Sequence, residues 1–144
     1  MLLVTLVCGF LVVTTTFMHY EALRWLKTGL LVLKMPERAK LVIVILIAFV
    51  VHAAEIALYG GTLYALITGS DVGTLQGTTE FSLGACMYFS AETYTSLGFG
   101  DLTPVGPIRL LAGVEALNGL LLIGWSASFV YLSMEQFWRE KDET

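Results

Sequence analysis

Thr93-Tyr94-Thr95-Ser96-Leu97-Gly98-Phe99-Gly100-Asp101 is the stretch on which the reading of this chain turns. It lies between two long apolar runs and carries two glycines spaced two apart. A backbone whose successive carbonyls all point the same way must alternate between ordinary and positive φ, which glycine tolerates and residues with a Cβ resist. Gly98 and Gly100 supply that alternation. At membrane depth such irregular backbone is admitted only where it is buried in protein or lines a water-filled path.

The flanking sequence places the stretch in lipid. Of the 144 residues 56% are hydrophobic and only 14% are charged, whereas a soluble domain carries about 25% charged residues. Residues 1–20 hold no charge, 41–70 are interrupted only by His52 and Glu55, and 107–134 carry only Arg109 and Glu115 near their start. Each run reaches the roughly 20 residues needed to cross a hydrocarbon core. No positive residue precedes the first run and no small-x-small cleavage site follows it before Glu21, so it reads as a retained span and not as a signal peptide. Residues 71–105 are too polar to span and too apolar for an ordinary loop. Their middle, from Glu80 to Thr95, reads as a short helix with Thr78 or Thr79 as N-cap and Glu80 in the first turn, where a carboxylate suits the positive end of the helix dipole.

The expected fold is an all-α membrane protein: three transmembrane helices plus a re-entrant helix and loop. Its parts are an N-terminal helix with a connecting segment (1–40), a core unit (41–134) and a short tail (135–144). Arg24, Lys27, Lys34, Arg38, Lys40, Arg139 and Lys141 fall on one side of this layout and only Arg109 on the other. The positive-inside rule then puts the C-terminus in the cytoplasm and the N-terminus outside, with the re-entrant segment entering a cell membrane from the outer face. Residues 20–33 have helical spacing and either extend the first span or lie along the inner interface, with a break at Met35-Pro36. The net charge of -4 is scattered, which excludes nucleic acid as a partner. Cys8 and Cys86, roughly eighty positions apart in apolar surroundings, read as packing residues. No helix repeats arginine every third residue as a voltage sensor does. No Ser-His-Asp, Cys-His or nucleotide-loop pattern supports catalysis, so the chain is not read as an enzyme.

Ser96-Leu97-Gly98-Phe99-Gly100-Asp101 resembles the Thr-Val-Gly-Tyr-Gly-Asp filter of the potassium-channel family, in order and in spacing. The resemblance runs from about Leu41 to Tyr131. Tyr88-Phe89 stands where small bacterial channels of the two-transmembrane type have two aromatics, Glu92 where some have a pore-helix glutamate, and Gly119 near their inner-helix hinge. The first span is an addition found in other small bacterial proteins of this look. The resemblance implies that Ser96, Leu97, Gly98, Phe99 and Gly100 form an ion-binding filter whose carbonyls replace the hydration shell of K+, with the Ser96 hydroxyl completing the innermost site. One loop per chain implies a homotetramer in membrane lipid that conducts monovalent cations passively, with K+ as permeant ion and no cofactor. Three departures bear on selectivity. Ser96 lacks the methyl that stiffens threonine, Leu97 replaces valine, and Phe99 replaces tyrosine and cannot hydrogen-bond to the pore helix.

Glu92 and Asp101 are expected behind the filter as a carboxyl pair sharing a proton, which would brace it and make conduction depend on pH, with Tyr88 and Phe89 as further support. His52 and Glu55 lie on one face of the second span, and an intramembrane carboxylate marks a functional site by default. Its candidate partners are His52, Glu115 through a shared proton, Asn118, or a hydroxyl such as Ser126. His19 is expected at the interface. Gly119 is a hinge candidate on the third span, and helical spacing from it places Leu120, Ile123, Ala127 and Tyr131 along a cavity. Trp125, Phe137 and Trp138 are expected to anchor the chain in lipid or at the interface. Two other readings stand beside the potassium-preferring channel: a weakly selective cation channel, and a non-conducting scaffold or accessory subunit. A coupled transporter is disfavoured because no internal repeat is visible.

Overall fold

A computed structural model describes residues 1–32, 35–77 and 80–142, and for 30–32, 37 and 137–142 the backbone alone. The order is α1 (Leu2–Val32), α2 (Glu37–Gly69), β1 (Thr74–Gln76), α3 (Leu83–Tyr94), β2 (Thr103–Val105) and α4 (Ile108–Asp142). Helices α1, α2 and α4 have 31, 33 and 35 residues. At about 1.5 Å per residue each exceeds a hydrocarbon core of about 30 Å. Within them Leu2–Gly29, Arg38–Gly69 and Ile108–Gln136 are long and apolar enough to cross a membrane.

Residues 20–32 continue α1 and do not peel away along an interface. Helix α2 starts directly behind Met35-Pro36. Proline fixes φ at -56°, and its carbonyl accepts from Ala39 N–H at 2.9 Å and Lys40 N–H at 3.2 Å. Proline lacks an N–H, but a helix start has no use for one.

One expectation for the central segment is corrected. Helix α3 begins at Leu83 with Ser82 as its N-cap, the Ser82 hydroxyl accepting from Ala85 N–H at 3.2 Å. Glu80 therefore precedes the helix, and Thr78 and Thr79 lie outside the described residues. A serine immediately before the apolar run can reach the third N–H of the first turn, which earlier residues cannot. A small strand pair accompanies the helices, which fit the all-α expectation. Strands β1 and β2 pair antiparallel, with Thr74 opposite Val105, Leu75 opposite Pro104 and Gln76 opposite Thr103. Pro104 is tolerated because a two-stranded ribbon has a free edge on each side. The ribbon closes the base of the segment that holds α3 and the glycine stretch.

Helix α3 packs against both α2 and α4, while α1 packs against α4 and α2. Their shared core includes Val4, Leu11, Tyr59, Leu63, Phe89, Tyr94 and Leu111. A second cluster, Leu26 and Val44 with Phe129 and Val130, joins the same long helices elsewhere along their length. The outward faces are apolar as well: Phe10, Phe17, Phe49 and Leu121 are exposed, as surfaces solvated by lipid tails require. Cys8 and Cys86 are free and buried. Trp125 is only partly exposed, with its ring 5.4 Å from that of His19 and 6.4 Å from that of Tyr20. The side chains of Phe137, Trp138, Arg139 and Lys141, and Lys34 as a whole, lie outside the described residues.

Candidate functional site

The glycine stretch leaves α3 through Thr95 and adopts left-handed φ at every second residue: 57° at Ser96, 54° at Gly98 and 80° at Gly100. The alternation thus starts one step earlier than the glycines indicate. For a serine this conformation costs about 1–2 kcal/mol. No signal in the sequence marks Ser96 for it.

Glu92, on the last turn of α3, holds the stretch from both its main chain and its side chain. Its main-chain carbonyl accepts from Leu97 N–H at 2.9 Å and Gly98 N–H at 3.2 Å, and its Oε2 accepts from Phe99 N–H at 3.2 Å. Ser96 N–H donates to the Thr93 carbonyl at 3.0 Å. Asp101 is close enough to Glu92 and Tyr88 for its charge to act on both. Burial pushes the Glu92 carboxyl above its ordinary value; the Phe99 N–H opposes this, and the neighbouring Asp101 adds to it. The Tyr88 phenol is raised by desolvation and then by Asp101. Phe99, which has no hydroxyl, stacks its ring on Tyr88 at 6.5 Å with the planes 5° apart. Phe89 faces the other way, into the core. On a single chain Leu97 and Phe99 are 61% and 66% exposed, so the stretch presents an apolar edge to whatever lies beside it.

Behind this segment the helices bury polar side chains in three groups. His19, His52, Glu55, Tyr94 and Ser126 form the first. His19 Nδ1 is 2.9 Å from Glu55 Oε1, and His52 Nδ1 is 3.1 Å from Glu55 Oε2. The Tyr94 hydroxyl donates to Glu55, and Ser126 Oγ lies 3.0 Å from His52 Nε2 and 3.1 Å from His19 Nε2. In the second group Asn118 donates to Thr15 Oγ1 at 2.8 Å and to the Tyr59 hydroxyl at 3.1 Å. In the third, Glu115 pairs with Ser90, whose Oγ is also 2.9 Å from the Ile56 carbonyl.

Of the four candidate partners of Glu55 the structure brings His52 to it, together with His19 and Tyr94; Glu115 and Asn118 belong to the other two groups. The expectation for His19 is overturned, since it is fully buried. Its spacing to Glu55 along the chain carries no sign of contact, because the two are brought together only by the crossing of α1 over α2. Tyr94, Ser90 and Thr15 were also invisible as members. They lie among apolar residues at ordinary helical spacing.

Gly119 is where α4 touches α3. A Cβ there would lie 2.2 Å from the Tyr94 carbonyl oxygen, so only glycine permits this approach. Helix α4 runs unbroken through it. Leu120, Ala127 and Tyr131 share the outward face of a single chain, while Ile123 packs against the core.

Three bilayer-length helices, with a short capped helix and a stretch of alternating left-handed backbone beside them, fit a multi-pass membrane protein. The family model described as Ion channel matches residues 39–136, and the chain belongs to that family. The chain is also similar to the inward rectifier potassium channel Kirbac3.1 of Paramagnetospirillum magnetotacticum, 29% identical over 84 residues, which are 58% of this chain and 28% of that protein. The similarity therefore spans little more than a quarter of that relative's length. No solved structure matches the chain. Helix α1 lies outside the family segment, whereas His52, Glu55, Tyr94 and Ser126 lie inside it.

Proposed function

We propose that the protein is a passive potassium-preferring channel in which Ser96, Leu97, Gly98, Phe99 and Gly100 of four identical chains form the filter. The observation that carries this reading is the left-handed backbone at 96, 98 and 100, tied to α3 through its N–H groups by Glu92. Alternation of this kind turns successive carbonyls to one side, and a ring of such carbonyls substitutes for the hydration shell of a monovalent cation. One stretch per chain makes a homotetramer the economical closed assembly. The apolar, exposed Leu97 and Phe99 fit a segment flanked by neighbouring copies.

On this reading α3 is a re-entrant pore helix whose C-terminal dipole end faces the cavity cation. Gly119, beside Tyr94, marks where the inner helix α4 meets it. Leu120, Ala127 and Tyr131 face the axis. Glu92, Asp101 and Tyr88 brace the filter from behind. The lysines and arginines set the N-terminus outside a cell membrane and the C-terminus in the cytoplasm.

The test is current through liposomes holding the purified chain under a potassium-to-sodium gradient, with Gly98→Ala as the control. A reversal potential near that of potassium, abolished by the substitution, is the expected result. A reversal near zero with current intact would establish the weakly selective channel, for which the absent Ser96 methyl and the leucine at position 97 speak. No current from either protein across pH and voltage would favour the non-conducting scaffold.

A further inference from the structure

We infer that His19, His52 and Glu55 form a binding site for one divalent transition-metal ion of the zinc class, which locks α1 onto the channel unit. The donor set is two imidazoles and a carboxylate, a combination that suits zinc and its neighbours. Their ligand atoms all lie within 4.8 Å of one another. Two of the separations, 2.9 Å from His19 Nδ1 and 3.1 Å from His52 Nδ1 to the carboxylate oxygens, are close to the roughly 3.3 Å between neighbouring ligands about 2.05 Å from a tetrahedral zinc.

The arrangement around the rings points the same way. Both imidazoles present Nδ1 to the single carboxylate and Nε2 to the single hydroxyl of Ser126. Metal-binding histidines are oriented in this manner, the outer ring nitrogen being held by a hydrogen bond to a neighbouring group. Tyr94 holds the second oxygen of Glu55 and lies 2.9 Å from His52 Nδ1.

Counting protons shows why a cation suits the cluster. Take Glu55 ionised and both rings neutral. Apart from the contact between Tyr94 and His52 Nδ1, the two rings, Tyr94 and Ser126 then bring four protons to five contacts: two rings to Glu55, Tyr94 to Glu55, and two rings to Ser126. Each contact needs one proton, so one is missing, and the buried cluster carries an uncompensated negative charge. A metal ion on the Nδ1 side removes the proton deficit and turns the excess negative charge into one positive charge, which a hydroxide as fourth ligand would balance. Each ring then carries its proton on Nε2, and the two lone pairs of Ser126 Oγ accept both. The contacts to Glu55 become metal–ligand bonds.

The site is incomplete without α1, which supplies His19 from outside the family segment. Bound metal would tie α1, α2 and α4 at one point, with Tyr94 of α3 two residues before Ser96. His52, whose side chain is 17% exposed, is the way in for an ion.

Trp125 provides a reporter, since its ring lies 5.4 Å from that of His19. The full chain, free of any polyhistidine tag and stripped with chelator in lipid nanodiscs, would be titrated with Co2+ while recording its visible d–d absorption. Cu2+ quenching of tryptophan emission would be followed in a Trp25→Phe, Trp138→Phe background. The expected result is one ion per chain, tetrahedral Co2+ absorption, displacement of Co2+ by Zn2+, and quenching that saturates. Glu55→Gln should abolish binding, and Ser126→Ala, which leaves the ligands in place, should weaken it about 10–100-fold.

Absence of d–d absorption and of saturable quenching in the wild-type chain would overturn the inference. So would binding that is unchanged in Glu55→Gln. The wild-type titration decides even if a variant does not fold, and it does not depend on the protein conducting any particular ion.

Discussion

His19 Nδ1 lies 2.9 Å from Glu55 Oε1 with both side chains fully buried, joining the first helix to the second across 36 positions of sequence. The same carboxylate accepts from Tyr94 at the end of α3, and Ser126 of α4 closes the far side of both histidines. Four helices therefore meet at one polar point, beside the segment proposed to conduct. Polar groups shut away from water must find partners in the protein, so this meeting point specifies how the helices sit against one another as well as holding them.

The contact between Gly119 and Tyr94 should be intolerant of any side chain. Gly119→Ala sets a methyl 2.2 Å from a main-chain oxygen, and overpacking of this sort costs about 1–3 kcal/mol. Gly124→Ala, where no other atom comes within 4 Å, is the control. It should be neutral or stabilise by up to about 1 kcal/mol, the helix preference for alanine. Thermal unfolding of the two variants in detergent checks the difference, and equal midpoints would refute the packing role.

Ser90 has one hydroxyl proton and two neighbours, the Ile56 carbonyl and Glu115. If that proton goes to Ile56, a donor is wanted on the Glu115 side. Glu115→Gln supplies one and should stay within about 0.5 kcal/mol of wild type. Ser90→Ala leaves a buried carboxyl without its partner and should cost about 1–3 kcal/mol. Denaturation midpoints of both variants, compared with wild type, decide the matter.

Glu92 gives the fold a pH dependence of defined sign. Its carboxyl is raised above the ordinary 4.5 by burial first and by Asp101 in addition, so the folded state holds the proton more firmly than the unfolded chain does. That contribution is complete below the ordinary value and is lost as pH rises through the raised one. The wild-type melting temperature should therefore fall with rising pH over that window. Glu92→Gln, which imitates the protonated acid and can still accept from Phe99 N–H, should flatten this part of the profile. If the same window governs conduction, the open probability of the variant will be independent of pH there.

Ser96 bears a conformation that glycine adopts without penalty. Ser96→Gly should raise thermal stability by up to about 1–2 kcal/mol while removing the hydroxyl proposed for the innermost ion site. The expected pairing is a higher melting temperature with a lower potassium-to-sodium permeability ratio. An unchanged ratio would remove the hydroxyl from the filter.

The number and position of the spans were legible in the sequence, because hydrophobic length is a property of contiguous residues that lipid reads locally. The glycine stretch was legible for the same reason: the demand for positive φ at Gly98 and Gly100 is met by glycine itself. Resemblance gave Glu92 a supporting place behind that stretch, and in the structure its Oε2 accepts from Phe99 N–H. The start of α3 at Ser82, the small ribbon of β1 and β2, and the left-handed turn at Ser96 were not legible. Each depends on which of several competent residues the surrounding packing selects.

His19 marks the boundary most clearly. In the sequence it is a lone histidine near the end of an apolar run, and the nearest carboxylate, Glu21, stands two residues on and so on another face of the helix. Only the crossing of α1 over α2 and α4 brings it to Glu55 and Ser126. Helix length and lipid exposure follow from local hydrophobicity, whereas polar contacts between helices depend on rotation and crossing, which are set by the side chains of all four helices together.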